Sequence, residues 1–202
     1  MLVDFLENAK FIIYNNLLSS DEANVLKKDI CKLFTLGSIR SPFLGITNKS
    51  LDLNVSNTEK LESEFGNYIK STTLVQQLLL GSTIRIKSCE QFLPAINQLK
   101  IRYLPKDCNY FSTVFITGSG FSGLPMHTDP HYSLLLQLAG KKRWNLWYES
   151  DTKSANCREP DIVITLETGM ALFITPNLVH CAISSGHKCS SIHLTLACTK
   201  QD

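Results

Sequence analysis

The chain has 202 residues, 44% hydrophobic and 19% charged, with a formal net charge of +2. That is enough chain to bury a full core without covalent staples, and too little net charge to argue for nucleic-acid or membrane-surface binding. Asp4 and Glu7 break up the apolar start, against a signal-peptide pattern, and no apolar run approaches a membrane span.

Phe11 to Tyr14 reads as a short strand. Ser19 and Glu22 form a capping box, followed by Ala23, Leu26, Ile30, Leu33 and Phe34 at helical spacing. Residues 37–57 read as loop. Thr58 opens a second helical stretch with Leu61, Phe65 and Ile69 on one face, and residues 74–80 extend it or begin another. Thr83 to Lys87 reads as a strand. Ser88 and Gln91 cap a third helix with Phe92, Ile96 and Leu99 as its face; Pro94 makes that helix short or moves its start.

The character changes at Leu104-Pro105. Strands are predicted at 112–117, 133–139, 142–148, 161–166, 171–175, 180–184 and 191–198. Glycine punctuates them at Gly118-Ser119-Gly120, Gly123-Leu124-Pro125, Gly140-Lys141, Thr168-Gly169 and Ser185-Gly186. The pair flanking Gly140-Lys141 carries a hairpin signal. Many short strands separated by turns predict a barrel or sandwich. The expected architecture is mainly β with N-terminal helices (α+β): a single domain, helix-rich over 1–105, with a β core over 106–202.

The seven cysteines, Cys31, Cys89, Cys108, Cys157, Cys181, Cys189 and Cys198, are scattered and contain no CxxC pair. They read as reduced thiols of a cytoplasmic protein, not as a disulfide framework or zinc site.

His127 and Asp129 stand two residues apart, so in extended chain they point to one side. His180 opens a later predicted strand. Two imidazoles and one carboxylate can take one triangular face of an octahedral ion and leave the opposite face open, the facial triad of non-haem iron(II) oxygenases. The pattern alone is weak. HxD recurs by chance, a lone strand histidine is as readily a core residue, and zinc fits the same side chains.

The surroundings are more specific. Gly123-Leu124-Pro125-Met126-His127-Thr128-Asp129, then Leu135-Leu136-Gln137-Leu138-Ala139-Gly140-Lys141-Lys142-Arg143-Trp144, resemble the JmjC-type cupin hydroxylases, and most of all the ribosomal oxygenases among them. The run Thr165-Leu166-Glu167-Thr168-Gly169-Met170-Ala171-Leu172-Phe173-Ile174-Thr175-Pro176 and the strand Ser191-Ile192-His193-Leu194-Thr195-Leu196 extend the likeness in family order, over roughly 111–198. Gly169-Met170 stands where the family turn often has Gly-Asp. The sequence stops four residues after Cys198, so a short form without the family's C-terminal dimerisation and winged-helix regions is expected.

The resemblance implies a double-stranded β-helix (cupin/JmjC barrel). It implies iron(II) on His127, Asp129 and His180, with 2-oxoglutarate as cosubstrate and dioxygen as oxidant. It places the distal carboxylate of 2-oxoglutarate on Lys142, at the family's basic position. The chemistry agrees, since a dianion in a partly dry pocket needs a cation at its far end. Thr113 and Thr195 match polar positions of the cosubstrate pocket, and His193 shares the face of Thr195; each binds the cosubstrate or simply lines a polar interior. Trp144 shares parity with Lys142, while His131 and His187 take no role.

The implied reaction is hydroxylation of an unactivated C–H bond on a peptide or protein side chain, or on an amino acid. Two alternatives stand beside it: another cupin metal enzyme that does not use 2-oxoglutarate, and a non-catalytic binding barrel. Lys142 separates the first, because only a 2-oxoglutarate enzyme needs it.

Overall fold

The computed structural model describes residues 9–35, 43–47, 71–148, 152–155, 158–185 and 190–200. Ten strands in these residues form two antiparallel sheets. They are β1 (Phe11–Tyr14), β2 (Leu44–Thr47), β3 (Thr83–Lys87), β4 (Cys108–Thr117), β5 (Tyr132–Ala139), β6 (Lys142–Trp147), β7 (Ile162–Leu166), β8 (Ala171–Ile174), β9 (Val179–Ser184) and β10 (Ser191–Lys200). The large sheet runs β1-β8-β5-β10-β4-β3-β2 and the small one β7-β6-β9. The two enclose a double-stranded β-helix. The helices are α1 (Ser20–Thr35), α2 (Ser71–Leu79), α3 (Pro94–Tyr103) and the one-turn α4 (Thr152–Ala155).

Strand alternation decides which residues reach the interior. Leu134, Leu136 and Leu138 of β5, Leu194 and Leu196 of β10 and Val114 and Ile116 of β4 face outward. They pack with Leu26 and Ile30 of α1, Leu74 of α2 and Ile96 and Leu99 of α3. Each such fully buried side chain contributes roughly 1.5–3 kcal/mol of transfer free energy. The opposite parity turns inward, where Leu135, Leu172 and Ile174 meet Trp144, Leu146, Ile164, Leu166, Leu178 and Ala182. The helices thus brace the back of the large sheet and leave its concave face to the cavity.

The capping box at α1 is present: Glu22 N–H donates to Ser19 Oγ at 3.2 Å, and Ser19 N–H to a Glu22 carboxylate oxygen at 2.9 Å. The helix predicted from Thr58, with its face Leu61, Phe65 and Ile69, lies outside the described residues, as does most of the turn at Ser185-Gly186.

Three expectations change. Residues 44–47, inside the predicted loop, form β2, an edge strand paired with β3. Ser88 makes no side-chain cap and has a left-handed backbone (φ 53°). A 3-10 turn at Cys89–Gln91 follows it, and α3 begins at Pro94. Proline suits a first helical position, where no N–H donor is needed. The predicted hairpin is not one. β5 ends in the large sheet, Ala139 paired with Ile192, whereas Lys142 of β6 pairs with Leu166 and Ser184 in the small sheet. Gly140 turns the corner with φ 68°, and a Cβ there would sit 2.8 Å from the Ser190 carbonyl oxygen. Only glycine meets both demands cheaply.

No described helix is long and apolar enough to cross a membrane.

Candidate active site

Residues 118–127, which begin with a turn at Ser119-Gly120, run as a connection along the free edge of β9. Gly120 N–H donates to Ser184, Gly123 N–H to Ala182 and Ser184 N–H back to Phe121. At its far end His127 and His180 exchange both backbone hydrogen bonds, at 3.1 and 2.9 Å. This pairing brings together two histidines 53 positions apart in sequence, with ring centroids 4.3 Å apart. Asp129 follows on the same side, its backbone carbonyl held by Asn177 N–H at 2.8 Å.

The ligand atoms of His127, Asp129 and His180 all lie within 4.8 Å of one another. His127 Nε2 is 3.9 Å from Asp129 Oδ1, and His180 Nε2 is 3.6 Å from Asp129 Oδ2. Both imidazoles are oriented from behind. Nδ1 of His127 meets the Pro125 carbonyl at 2.7 Å, and Nδ1 of His180 meets the Leu178 carbonyl at 2.9 Å. A carbonyl only accepts, so each Nδ1 carries the proton and each Nε2 lone pair is left for an ion. Burial, then the nearby His127 ring, lowers the pKa of His180 and favours that neutral form. The donor set fits a divalent transition metal with open positions.

One cavity, open at its mouth, contains this cluster and every site residue read from the sequence: Lys142, Thr113, Thr195 and His193 line it as well. Lys142, on β6, is 1% exposed. Its Nζ donates to Thr117 Oγ1 and to His193 Nδ1, both at 3.2 Å. Thr117 and Thr83 share a hydroxyl hydrogen bond of 3.1 Å, and Thr83 continues to the Ser122 carbonyl at 3.5 Å. The direction of this relay follows from Lys142, which as an ammonium only donates. Among the described residues no carboxylate pairs with it, and burial lowers its pKa to about 7.

Two ammonium protons therefore have acceptors and a third is uncommitted. His193, pushed well below its ordinary pKa by burial and then by Lys142, is neutral with its proton on Nε2. Its ring stacks on Phe115 at 4.8 Å and meets Trp144 edge-on at 5.3 Å. Thr113 and Thr195 pair across β4 and β10. Gly123 lies over the ammonium: a Cβ there would be 3.3 Å from Lys142 Nζ.

Sequence reasoning missed Thr117, Thr83, Phe115 and Leu124. Thr117 and Phe115 share the parity of Thr113, so alternation along β4 was the available signal. Thr83 and Leu124 arrive from other elements and carry no such mark. His131, unassigned from sequence, lines the cavity, while His187 lies outside the described residues. Met170, at the position of the family's usual turn aspartate, accepts Glu167 N–H on its sulfur at 3.3 Å.

The JmjC domain family matches residues 90–202. This chain belongs to the JmjC family. The bifunctional lysine-specific demethylase and histidyl-hydroxylase NO66 of Dictyostelium discoideum is 28% identical over 102 residues, covering 45% of this chain and 20% of that protein. NO66 of Drosophila erecta is 30% identical over 135 residues, covering 60% and 20%. The chain thus spans about a fifth of the length of these relatives. Among solved structures, the ribosomal oxygenase YcfD of Escherichia coli in complex with cobalt and succinic acid has a TM-score of 0.62 at 14% identity, covering 99% of this JmjC chain and 51% of YcfD. The non-haem α-ketoglutarate-dependent epimerase SnoN, from nogalamycin biosynthesis, has a TM-score of 0.62 at 9% identity, covering 98% and 79%. These likenesses show the double-stranded β-helix, and they extend over α1 and α2, which precede the residues that the JmjC family matches.

Proposed function

We propose that this JmjC protein is an iron(II)- and 2-oxoglutarate-dependent oxygenase that hydroxylates an unactivated C–H bond on a peptide or protein side chain, in the cytoplasm. The observation that carries the reading is Lys142, a cation buried in the cavity of His127, Asp129 and His180 that, among the described residues, pairs with no carboxylate. A buried, unpaired charge is costly, and a site that keeps one is built for a counter-ion. The family's enzymology supports the rest: YcfD has been solved with cobalt and 2-oxoglutarate, and NO66 is a histidyl-hydroxylase and lysine demethylase.

His127 Nε2, a carboxylate oxygen of Asp129 and His180 Nε2 would hold the iron. Bound iron(II) supplies dioxygen activation, in which 2-oxoglutarate, dioxygen and the C–H substrate give succinate, carbon dioxide and the alcohol. The chain's own contribution is placement. Lys142 takes the distal carboxylate of 2-oxoglutarate, with Thr117 and His193 holding the ammonium still. The His193 Nε2–H and the hydroxyls of Thr113 and Thr195 are the remaining polar groups for the cosubstrate. Phe115, Leu135, Trp144 and Ala182 keep water from the walls. The place of β1, β2 and β3 in the large sheet supports reading the N-terminal part and the β-helix as one domain.

The test is calorimetric titration of 2-oxoglutarate into the manganese(II)-loaded protein under argon. The wild type binds. Lys142→Ala weakens binding on the order of 100-fold, about 3 kcal/mol for losing one partner of a buried charge pair. Equal binding by Lys142→Ala would remove Lys142 from the cosubstrate site, and a wild type that binds no 2-oxoglutarate would favour a cupin metal enzyme of another kind.

A further inference from the structure

We propose that His131 is a positioning residue of the metal centre, donating its Nε2–H to the carboxylate oxygen of Asp129 that the metal leaves free. The proposal rests on reading His127, Asp129 and His180 as the ligands. His131 Nε2 lies 3.8 Å from Asp129 Oδ2, as near to that carboxylate as the two ligand imidazoles at 3.6 and 3.9 Å. It is nevertheless outside the three-residue group whose ligand atoms lie within 4.8 Å of one another. It borders the centre without being a member of it.

The three ligands are not equally supported. His127 and His180 are each tied through Nδ1 to a carbonyl two residues earlier. Asp129 is tied only through its backbone carbonyl. Among the described residues no hydrogen bond reaches its carboxylate, and of the described basic side chains His131 is the one beyond the ligands that lies within 4.0 Å of it. Metal-bound carboxylates ordinarily carry an outer hydrogen bond that sets their orientation. His131 supplies it after a small turn of its ring.

That ring is held for the purpose. It is half-buried, and it packs edge-on against Phe111 with centroids 4.9 Å apart and planes at 76°. Phe111 is itself 44% exposed at the cavity mouth, so it acts as a fence for the imidazole and not as core. The chemical consequence concerns the open positions. A carboxylate anchored through one oxygen binds a metal through the other alone. Released from His131, it is free to chelate with both oxygens and to compete with a bidentate 2-oxo acid for coordination positions.

The experiment titrates cobalt(II) into the metal-free full chain and follows affinity and the visible d–d spectrum. His131→Phe, which keeps the packing on Phe111 but has no donor, is expected to bind cobalt(II) 10- to 100-fold more weakly, with a shifted spectrum. His131→Gln, which keeps an N–H donor, is expected to recover most of both. Should His131→Phe fail to fold by thermal melting, His131→Leu takes its place against His131→Gln. Wild-type affinity and spectrum in the donor-less variant would overturn the proposal and leave the triad standing. Equal loss in His131→Gln and the donor-less variant would overturn it too, by assigning the effect to packing. Unimpaired cobalt(II) binding by His127→Ala would instead overturn the triad, and the proposal with it.

Discussion

Lys142 has its chemistry set by where it sits. Burial alone lowers its pKa to about 7, from an ordinary 10.5. The ligand-free folded protein therefore sheds that proton near neutrality, while the unfolded chain keeps it to about pH 10.5. In the intervening window the unfolded state holds the extra proton, so the stability of the ligand-free protein falls as pH drops from about 10.5 to about 7 and levels off below that, where both states are protonated. Binding a dianion has the opposite sign, because it requires the ammonium. From pH 7 to 8.5, affinity for 2-oxoglutarate should fall by up to about tenfold per pH unit, and Lys142→Arg should flatten the slope, since guanidinium does not titrate in this range. Titration calorimetry across that range checks it, and a flat wild-type profile would contradict the assignment. At this scale the sequence was legible where parity and motif coincide. His127, Asp129, His180, Lys142, Thr113, Thr195 and His193 all line one cavity. Thr83 was not legible, because it reaches Lys142 through Thr117 from a different strand. Its role exists only in the register of β3 with β4.

Elements were legible by type and less so by partner. Short apolar runs bounded by turns identified β1 and β3 to their exact ends, and β5, β6, β7, β8 and β9 to within a residue or so at either end. A period of two says which side chains share a face but not which strand pairs with which. That is why residues 133–148 read as a hairpin when they join two sheets. Leu44–Thr47 was hidden because it is four residues long and contains Gly45, which weakens a strand signal. The turn at Gly140 makes a prediction. Gly140→Ala forces a side chain into a left-handed backbone, with its Cβ 2.8 Å from a carbonyl oxygen. It should cost ~2 kcal/mol of stability by chemical denaturation, the penalty of a strained left-handed residue. A change within a few tenths of a kcal/mol would mean that the corner is looser than described.

For the whole molecule, the helices and the sheet divide the labour. The outward faces of β4, β5 and β10 are spent on α1, α2 and α3, while their inward faces carry Thr113, Phe115, His193, Thr195 and Leu135 into the cavity. The site is therefore assembled from both sheets: Lys142, Trp144 and His180 come from the small one and the threonines from the large one, with His127 and Asp129 on the connection before β5. No segment carries the site alone, and removing His127 should silence it without dissolving the fold. The most direct test is succinate formation. Protein loaded with iron(II) under argon, then given 2-oxoglutarate and air, should release succinate, and His127→Ala should reduce that release at least 100-fold while melting as a folded protein. Wild-type protein that binds iron(II) but yields no more succinate than His127→Ala would contradict the account.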